Sequence, residues 1–252
     1  MILRDELASY LHEFLACANF DDYAPNGVQI EGSSQIRRIC TAVTASLDII
    51  EQAVSLKADA LLVHHGYFWR GEAPVLKGMK RERIGKLITH NISLYAYHLP
   101  LDCHLELGNN ACLAQLFKLT GVKSHQVGKI ANLLWTGSLA KIENVNAFST
   151  QLKKVLAREP IHLQGTDKPI RHIAWCSGAA QDLIEEAHAL GVDAYISGEI
   201  SERTYYQAKE LGIHYFSCGH HATERYGIQA LGKHLAARYE LEHHFIDSLN
   251  PV

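Results

Sequence analysis

Apolar and polar positions alternate along the chain in a pattern that predicts strands separated by helices. Short runs of small and branched apolar residues predict strands at 37–44, 58–63, 93–97, 171–176, 192–197, 213–217 and 242–247. Stretches with helical periodicity predict helices at 3–18, 46–56, 80–90, 108–119, 145–157, 180–190, 202–211 and 223–239. Strands separated by helices of this length are typical of a parallel or mixed sheet covered by helices. The predicted fold class is therefore α/β.

A similar series of residues occurs twice along the chain, which indicates an internal duplication. Chance similarity between two ordinary strand-helix-strand units is the alternative. The aligned pairs include Ile39 with Ile173, Glu51 with Glu185, Asp59 with Asp193, His64-His65 with Gly198-Glu199 and, at a slightly shorter offset, Ile92 with Ile213. Two related α/β domains would then face each other across a cleft.

The domain boundary is predicted within 120–132, a polar stretch that contains two glycines and precedes a β-rich patch near 131–140. It gives a first α/β half at 1–124 and a second at 125–252. The C-terminal segment 222–252 is a candidate to pack back onto the first half.

Composition narrows the class of protein. Of the 252 residues, 47% are hydrophobic and the net charge is −3, which fits a globular core and does not indicate a nucleic-acid or membrane surface. The N-terminus predicts an amphipathic helix rather than a signal peptide, and no apolar run reaches the roughly 18 residues of a membrane span. The six cysteines form no C-x-x-C pair, so we expect reduced, buried thiols in a cytoplasmic protein.

Histidines and carboxylates are concentrated in three segments that directly follow predicted strands. These are His64-His65, His98 to Asp102, and Gly219-His220-His221-Ala-Thr-Glu224. Because parallel strands end at a common edge, where ligands bind, the three segments could meet at one point. Imidazole and carboxylate suit zinc, manganese, iron and nickel. The alternative is chance, since a chain with 16 histidines contains neighbouring pairs and a single histidine at a strand end is usually structural.

The predicted metal ligands are His64, His65, Asp102, His220 and Glu224. Five ligands, two of them carboxylates able to bridge, fit two divalent ions about 3.5–4 Å apart better than one ion. His98 and His221 would then orient the ligands or transfer protons.

Two further segments leave alternatives open. Asp22 to Ile30 contains Asn26-Gly27 and predicts a turn followed by a strand, with either a structural or a cleft-lining role. The aromatic run Gly66-Tyr67-Phe68-Trp69 follows the histidine pair and could belong to the core or stack on a planar ligand.

At these residues the chain resembles the NIF-three-like family, in particular its bacterial YbgI subgroup. The segments that carry the resemblance are DYAPNGVQIEG, ADALLVHHGYFWRGE, HLPLDCHLELGNN, SGEISE and GHHATER. Members are commonly labelled GTP cyclohydrolase type 2 homologues. The resemblance implies two similar α/β domains, a dinuclear metal site in the cleft between them and a toroidal homohexamer. It also implies the same five ligands, all of which are present here.

The function predicted from these residues is a metal-dependent hydrolase that acts on a nucleotide or another heterocycle through metal-bound hydroxide. Attack on purine C8 of GTP is one example, and His98 or His221 would transfer protons. Basic residues after the histidine pair could hold phosphates or could form a solvated helix face; they are Arg70, Lys77, Lys80, Arg81 and Arg83. The alternative is a non-catalytic metal-binding, metal-delivery or regulatory protein, and a protein-interaction module is a third option. Whether the protein is an enzyme stays open from sequence.

Overall fold

The chain forms a mixed α/β fold, as the pattern predicts. The computed structural model describes all residues from Met1 to Val252. It contains two compact units, one comprising Met1–Leu101 with Gly227–Leu249 and the other Asp102–Tyr226 with Asn250–Val252. The predicted division at residue 124 concerns a different property, the boundary between two duplicated halves of the sequence, and it stays a prediction.

Helices and strands alternate through most of the chain. The helices are α1 (Arg4–Phe14), α2 (Leu47–Ser55), α3 (Gly78–Thr89), α4 (Leu99–Asp102), α5 (Asn109–Leu116), α6 (Val145–Leu156), α7 (Ile184–Ala189), α8 (Glu202–Leu211) and α9 (His220–Tyr239). The strands are β1 (Ile2–Leu3), β2 (Gly27–Ile30), β3 (Gln35–Ile36), β4 (Arg38–Thr44), β5 (Ala60–His65), β6 (Ser93–Ala96), β7 (Thr120–Val127), β8 (Ile130–Glu143), β9 (Ile161–Leu163), β10 (Ile170–Trp175), β11 (Ala194–Ser197), β12 (His214–Ser217) and β13 (Glu242–Phe245). None of the helices combines the length and apolar character that crossing a bilayer requires.

The first unit is built on a five-stranded sheet in the order β13-β4-β5-β6-β2. Strands β13, β4, β5 and β6 are parallel, and β2 pairs antiparallel with β6. Successive residues of β5 enter different core clusters, since Leu61 and Val63 pack in one and Leu62 in the other. This alternation sends neighbouring side chains to opposite faces, so apolar residues cover both faces of the sheet.

The second unit contains a six-stranded sheet in the order β7-β8-β10-β11-β12-β9. Strands β10, β11 and β12 are parallel, while β8 and β9 pair antiparallel at either side of them. Trp175 and Phe216 are fully buried and lie in the same core cluster as Phe148 of α6. The predicted helix 145–157 and the predicted strand 213–217 therefore both contribute to the hydrophobic core of the second unit.

The polar stretch 120–132 differs most from its sequence-based interpretation. Residues Thr120–Val127 form β7, which pairs antiparallel with the long strand β8. Most of its side chains are exposed or half-buried because β7 is an edge strand, so the apolar alternation that marks an interior strand is missing. The prediction located only the central part of β8, at 131–140.

Two aspartates make the same backbone contacts in the two sheets. Oδ2 of Asp59 accepts hydrogen bonds from the N–H groups of Arg37 and Arg38, at 2.8 and 2.9 Å. Oδ2 of Asp193 accepts from the N–H groups of Arg171 and His172, at 2.9 and 2.8 Å. Each carboxylate thereby ties the entry of one parallel strand, β5 or β11, to the start of its neighbour.

We expect Asp193→Ala to lower the free energy of unfolding by about 1.5–3 kcal/mol, because it leaves two strand N–H groups without their charged acceptor. The control is Asp182→Ala, which removes an exposed ion pair with Arg203 and should cost less than about 1 kcal/mol. Urea unfolding measures both values. Equal losses in the two variants would contradict this role for Asp193.

Candidate metal centre

Three histidines converge at the carboxyl edge of the first unit's sheet. His64 and His65 are the last two residues of β5, and His98 follows β6 by two residues. The ring of His64 lies 4.6 Å from that of His65 and 5.1 Å from that of His98, measured between centroids. Each ring offers one nitrogen ligand atom, and these three atoms all lie within 4.8 Å of one another. The group could hold a metal ion.

The hydrogen bonds of His64 and His65 orient their rings. His64 is fully buried, and its Nδ1 lies 2.9 Å from the carbonyl oxygen of Tyr97. Because a carbonyl only accepts, Nδ1 of His64 carries the proton and Nε2 has the lone pair that a metal needs. His65 Nδ1 lies 3.1 Å from the hydroxyl of Thr44, which can accept in the same way. Fixing one ring nitrogen through an oxygen is how metal-binding histidines are usually oriented.

His98 is held by a buried carboxylate. Its Nδ1 donates to Oδ1 of Asp22 at 2.7 Å, while its backbone N–H donates to Oδ1 of Asn26 at 2.8 Å. The Asp22 side chain is 1% exposed, and its Oδ2 also accepts from Asn26 Nδ2 and from the N–H of Leu99. Burial would raise the pKa of Asp22, but the hydrogen bonds and charge of His98 and the bond from Asn26 outweigh it and lower that pKa.

The role of Asp22 was not identified from sequence. The sequence predicts either a structural or a cleft-lining role for the turn around Asn26-Gly27, and the structure shows that this turn positions His98. The sequence offers only a weak signal for this role, which is a pair of polar residues, Asp22 and Asn26, on either side of Pro25 just before a strand. Nothing in the sequence links them to a residue more than 70 positions away.

In the second unit, the carboxylate of Asp102 is buried and held by two neighbours. Its Oδ1 accepts from Asn109 Nδ2 at 2.9 Å and from Ser177 Oγ at 2.8 Å. Asp102 ends the one-turn helix α4, whose second residue is Pro100. Proline is tolerated in a first helical turn, where no N–H partner is needed. Sequence analysis missed Asn109 and Ser177, which are common polar residues without a spacing signal.

His220 and Glu224 lie one turn apart at the start of α9. The predicted start was residue 223, but the helix begins at His220, so the two side chains occupy positions i and i+4. Nε2 of His220 lies 3.1 Å from Oε2 of Glu224, and its Nδ1 lies 2.6 Å from Oε1 of Glu199. Glu199 follows β11 by two residues, and its contact with His220 could not be identified from the sequence.

Two carboxylates determine the electrostatics around His220. Burial alone would lower the pKa of His220, but its hydrogen bonds and charge interactions with Glu224 and Glu199 raise it to about 9. The imidazolium form of His220 is therefore favoured at neutral pH and offsets one of the two carboxylate charges. A divalent cation beside Nε2 would also offset the charge of Glu224, and an imidazole with a carboxylate is a ligand pair that transition metals accept.

Gly178 leaves the space that Glu224 occupies. This residue follows β10 with φ at +67°, a conformation that favours glycine. A Cβ atom here would overlap Oε1 of Glu224 and would lie 3.3 Å from Nε2 of His220. The loop after β10 therefore forms a recess for the Glu224 carboxylate, which we call the cradle. Only glycine leaves this recess open, because any side chain at position 178 would fill it.

The remaining predicted residues have different surroundings. His221 is 7% exposed and its N–H donates to the Val252 carbonyl, so its role in proton transfer stays a prediction. In the aromatic run, Tyr67 is buried and donates to the Ala45 carbonyl, whereas Trp69 packs with its ring edge-on to His98 at 5.0 Å. The run thus supplies both core and site contacts.

Two of the basic residues make local contacts. Arg70 forms an exposed ion pair with Asp21, and Lys80 pairs with Glu72. Lys80 also lies over the ring of Phe68, 4.8 Å from its centroid. These contacts favour a surface role for both residues over a phosphate-binding one.

We expect Gly178→Ala to displace the Glu224 carboxylate and separate it from His220. The matched control is Gly191→Ala, whose φ is +71° but whose Cβ would meet nothing within 4 Å. Both variants should lose about 1–2 kcal/mol for the left-handed backbone, and Gly178→Ala should lose more. Thermal unfolding measures the difference, and the nitrogen NMR signals of His220 should change only in Gly178→Ala. Identical behaviour of both variants would refute the cradle.

Comparison with known proteins gives a consistent result. The family model for Duf34/NIF3 (NGG1p interacting factor 3) matches residues 2–251. A protein of Vibrio cholerae is 49% identical over 249 residues, and one of Escherichia coli K12 is 44% identical over 248. Each alignment covers 98% of both chains, and both relatives are named GTP cyclohydrolase 1 type 2 homolog.

Solved structures show the same relationship. The structure of the protein ybgI is 43% identical, with a TM-score of 0.95 over 100% of both chains. The protein TTHA1606 from Thermus thermophilus is 30% identical, with a TM-score of 0.90 over 100% of both chains. The resemblance found in the sequence is confirmed, and the chain belongs to the DUF34/NIF3 family.

Proposed function

We propose that the protein is a metal-dependent hydrolase that acts on a nucleotide or a related heterocycle. Its dinuclear centre would use His64, His65, Asp102, His220 and Glu224. The observation that carries the proposal is the group of three imidazoles at the edge of the first sheet, whose Nδ1 atoms each lie within hydrogen-bond distance of an oxygen. His64 and His65 are the proposed ligands of this group, and His98 is the imidazole beside them. The second unit adds carboxylates held in fixed orientations, and the two sets together match the ligands that divalent transition metals prefer.

We further propose that the two units descend from one duplicated α/β half. The matching contacts of Asp59 and Asp193, at aligned positions, support this origin. The histidine pair aligns with Gly198-Glu199, so the second copy carries an acid that orients His220 instead of two ligands. One shared centre in a cleft follows, rather than two equal ones.

When bound, paired metal ions lower the pKa of a coordinated water and stabilise negative charge on a substrate. His98 is the proposed proton-transfer residue, because Asp22 fixes its ring through Nδ1 and leaves Nε2 as the atom that exchanges protons. The edge of Trp69 limits how that ring can turn. Opening a purine ring and releasing formate requires several proton transfers, which an oriented imidazole can serve. The names of the relatives make GTP the first substrate to test.

A metal-delivery protein is the second candidate. One observation favours it: a proton on His220, whose pKa is about 9, can offset the charge of Glu224 as a bound cation would. Such exchange suits reversible loading and release. A homohexamer and a cytoplasmic location, both expected from the sequence, stay predictions under either function.

Formate release from GTP tests the hydrolase. Protein loaded separately with zinc, manganese, iron or nickel should release formate with at least one metal. Asp22→Asn should reduce kcat by at least tenfold, since His98 then loses its charged acceptor. Its control is Asp21→Asn, which alters only an exposed ion pair with Arg70 and should keep full activity.

Two outcomes would contradict the hydrolase. A blank with every metal and with several nucleotides would leave metal delivery as the better account, especially if the metal passes rapidly to a competing chelator. Equal activity of Asp22→Asn and Asp21→Asn would remove His98 from the proposed proton path.

A further inference from the structure

Arg158 lies against the backbone immediately before His220. Its Cδ, Nε and Cζ atoms are 2.6, 2.8 and 3.1 Å from the position that a Cβ atom would take on Gly219. The φ of Gly219 is +95°, a conformation that favours glycine, and a side chain at this position would overlap Arg158. Since neighbouring Cα atoms are 3.8 Å apart, the guanidinium carbon lies within about 8–9 Å of the His220 Cα.

The guanidinium of Arg158 has no partner within the chain. Its Nε–H group is buried and donates to no acceptor. No carboxylate lies within ion-pair distance of the guanidinium. The neighbouring acids are engaged elsewhere, because Glu159 pairs with Lys153 while Glu199 and Glu224 both contact His220. Arg158 as a whole is half-buried, but its Nε is shielded from solvent, and a buried donor without an acceptor costs free energy.

We propose that Arg158 binds a phosphate group of the ligand beside the metal centre. The inference rests on the proposed function and specifies its substrate class as a phosphate-bearing compound. A guanidinium presents a planar fork of N–H donors that matches two phosphate oxygens, which an ammonium group cannot do. Packing on Gly219 already restricts the side chain, so little rotamer freedom is lost on binding.

A purely structural role makes a different prediction. In that case Arg158 would only cover the Gly219 peptide and balance charge near the buried thiol of Cys218. Burial raises the pKa of Cys218 to about 12, and the charge of Arg158 acts against that rise. Replacing the guanidinium would then alter stability without altering anion binding.

Calorimetric titration with inorganic pyrophosphate tests the site, using the full-length protein both metal-loaded and treated with chelator. Arg158→Gln should weaken binding at least tenfold in both forms, and Arg158→Lys should give an intermediate loss because charge remains without the fork. The control is Lys154→Gln, an exposed cation on α6, which should bind like the wild type. Citrate in place of pyrophosphate shows whether a carboxylate serves equally.

Unchanged pyrophosphate affinity in Arg158→Gln would overturn the proposal. Pyrophosphate binding that is lost on treatment with chelator but kept in Arg158→Gln would also overturn it, because the metal alone would then hold the anion. If Arg158→Gln does not fold, the lysine variant decides, and wild-type affinity there would count against the guanidinium. Equal or tighter binding of citrate would contradict phosphate as the ligand class. Arginine-dependent binding without formate release would keep the anion site and reject the hydrolase, so the two failures are distinguishable.

Discussion

The hydrogen bond between His64 Nδ1 and the Tyr97 carbonyl determines what the first unit can bind. It keeps the proton on one ring nitrogen of a fully buried histidine and thereby leaves the other as an electron-pair donor. The parallel pairing of β5 with β6 places the two residues together, because Val63 lies opposite Ala96 in this register. A shift by one residue would turn His64 to the other face of the sheet and remove the site.

The second unit orients its acidic groups by the same principle. The carboxylate of Asp102 receives two hydrogen bonds, and that of Glu224 fits against a glycine whose backbone no other residue adopts easily. His220 is held through Nδ1 by Glu199 just as His98 is held by Asp22. Positions beyond the predicted ligands thus determine the geometry of those ligands, as is common around metals.

The alternating strands and helices could be predicted because their apolar residues are spaced by simple periods. The converging histidines could also be predicted, since parallel strands share one edge. Strand β7 could not, because an edge strand buries too little to carry an apolar pattern. The residues that orient the predicted ligands could not be predicted either, because each acts through a contact that only the fold identifies. They are Asp22, Asn109, Ser177 and Glu199.

The histidine and carboxylate groups are of a kind that could bind metal. Elemental analysis of the purified protein tests this binding most directly, with His64→Ala and Glu224→Ala compared against His188→Ala, an exposed histidine of α7. The wild type and His188→Ala should each contain two divalent ions per chain. His64→Ala and Glu224→Ala should both show a clear loss of metal. Unchanged metal content in these two variants would mean that the histidine and carboxylate groups do not form a metal site.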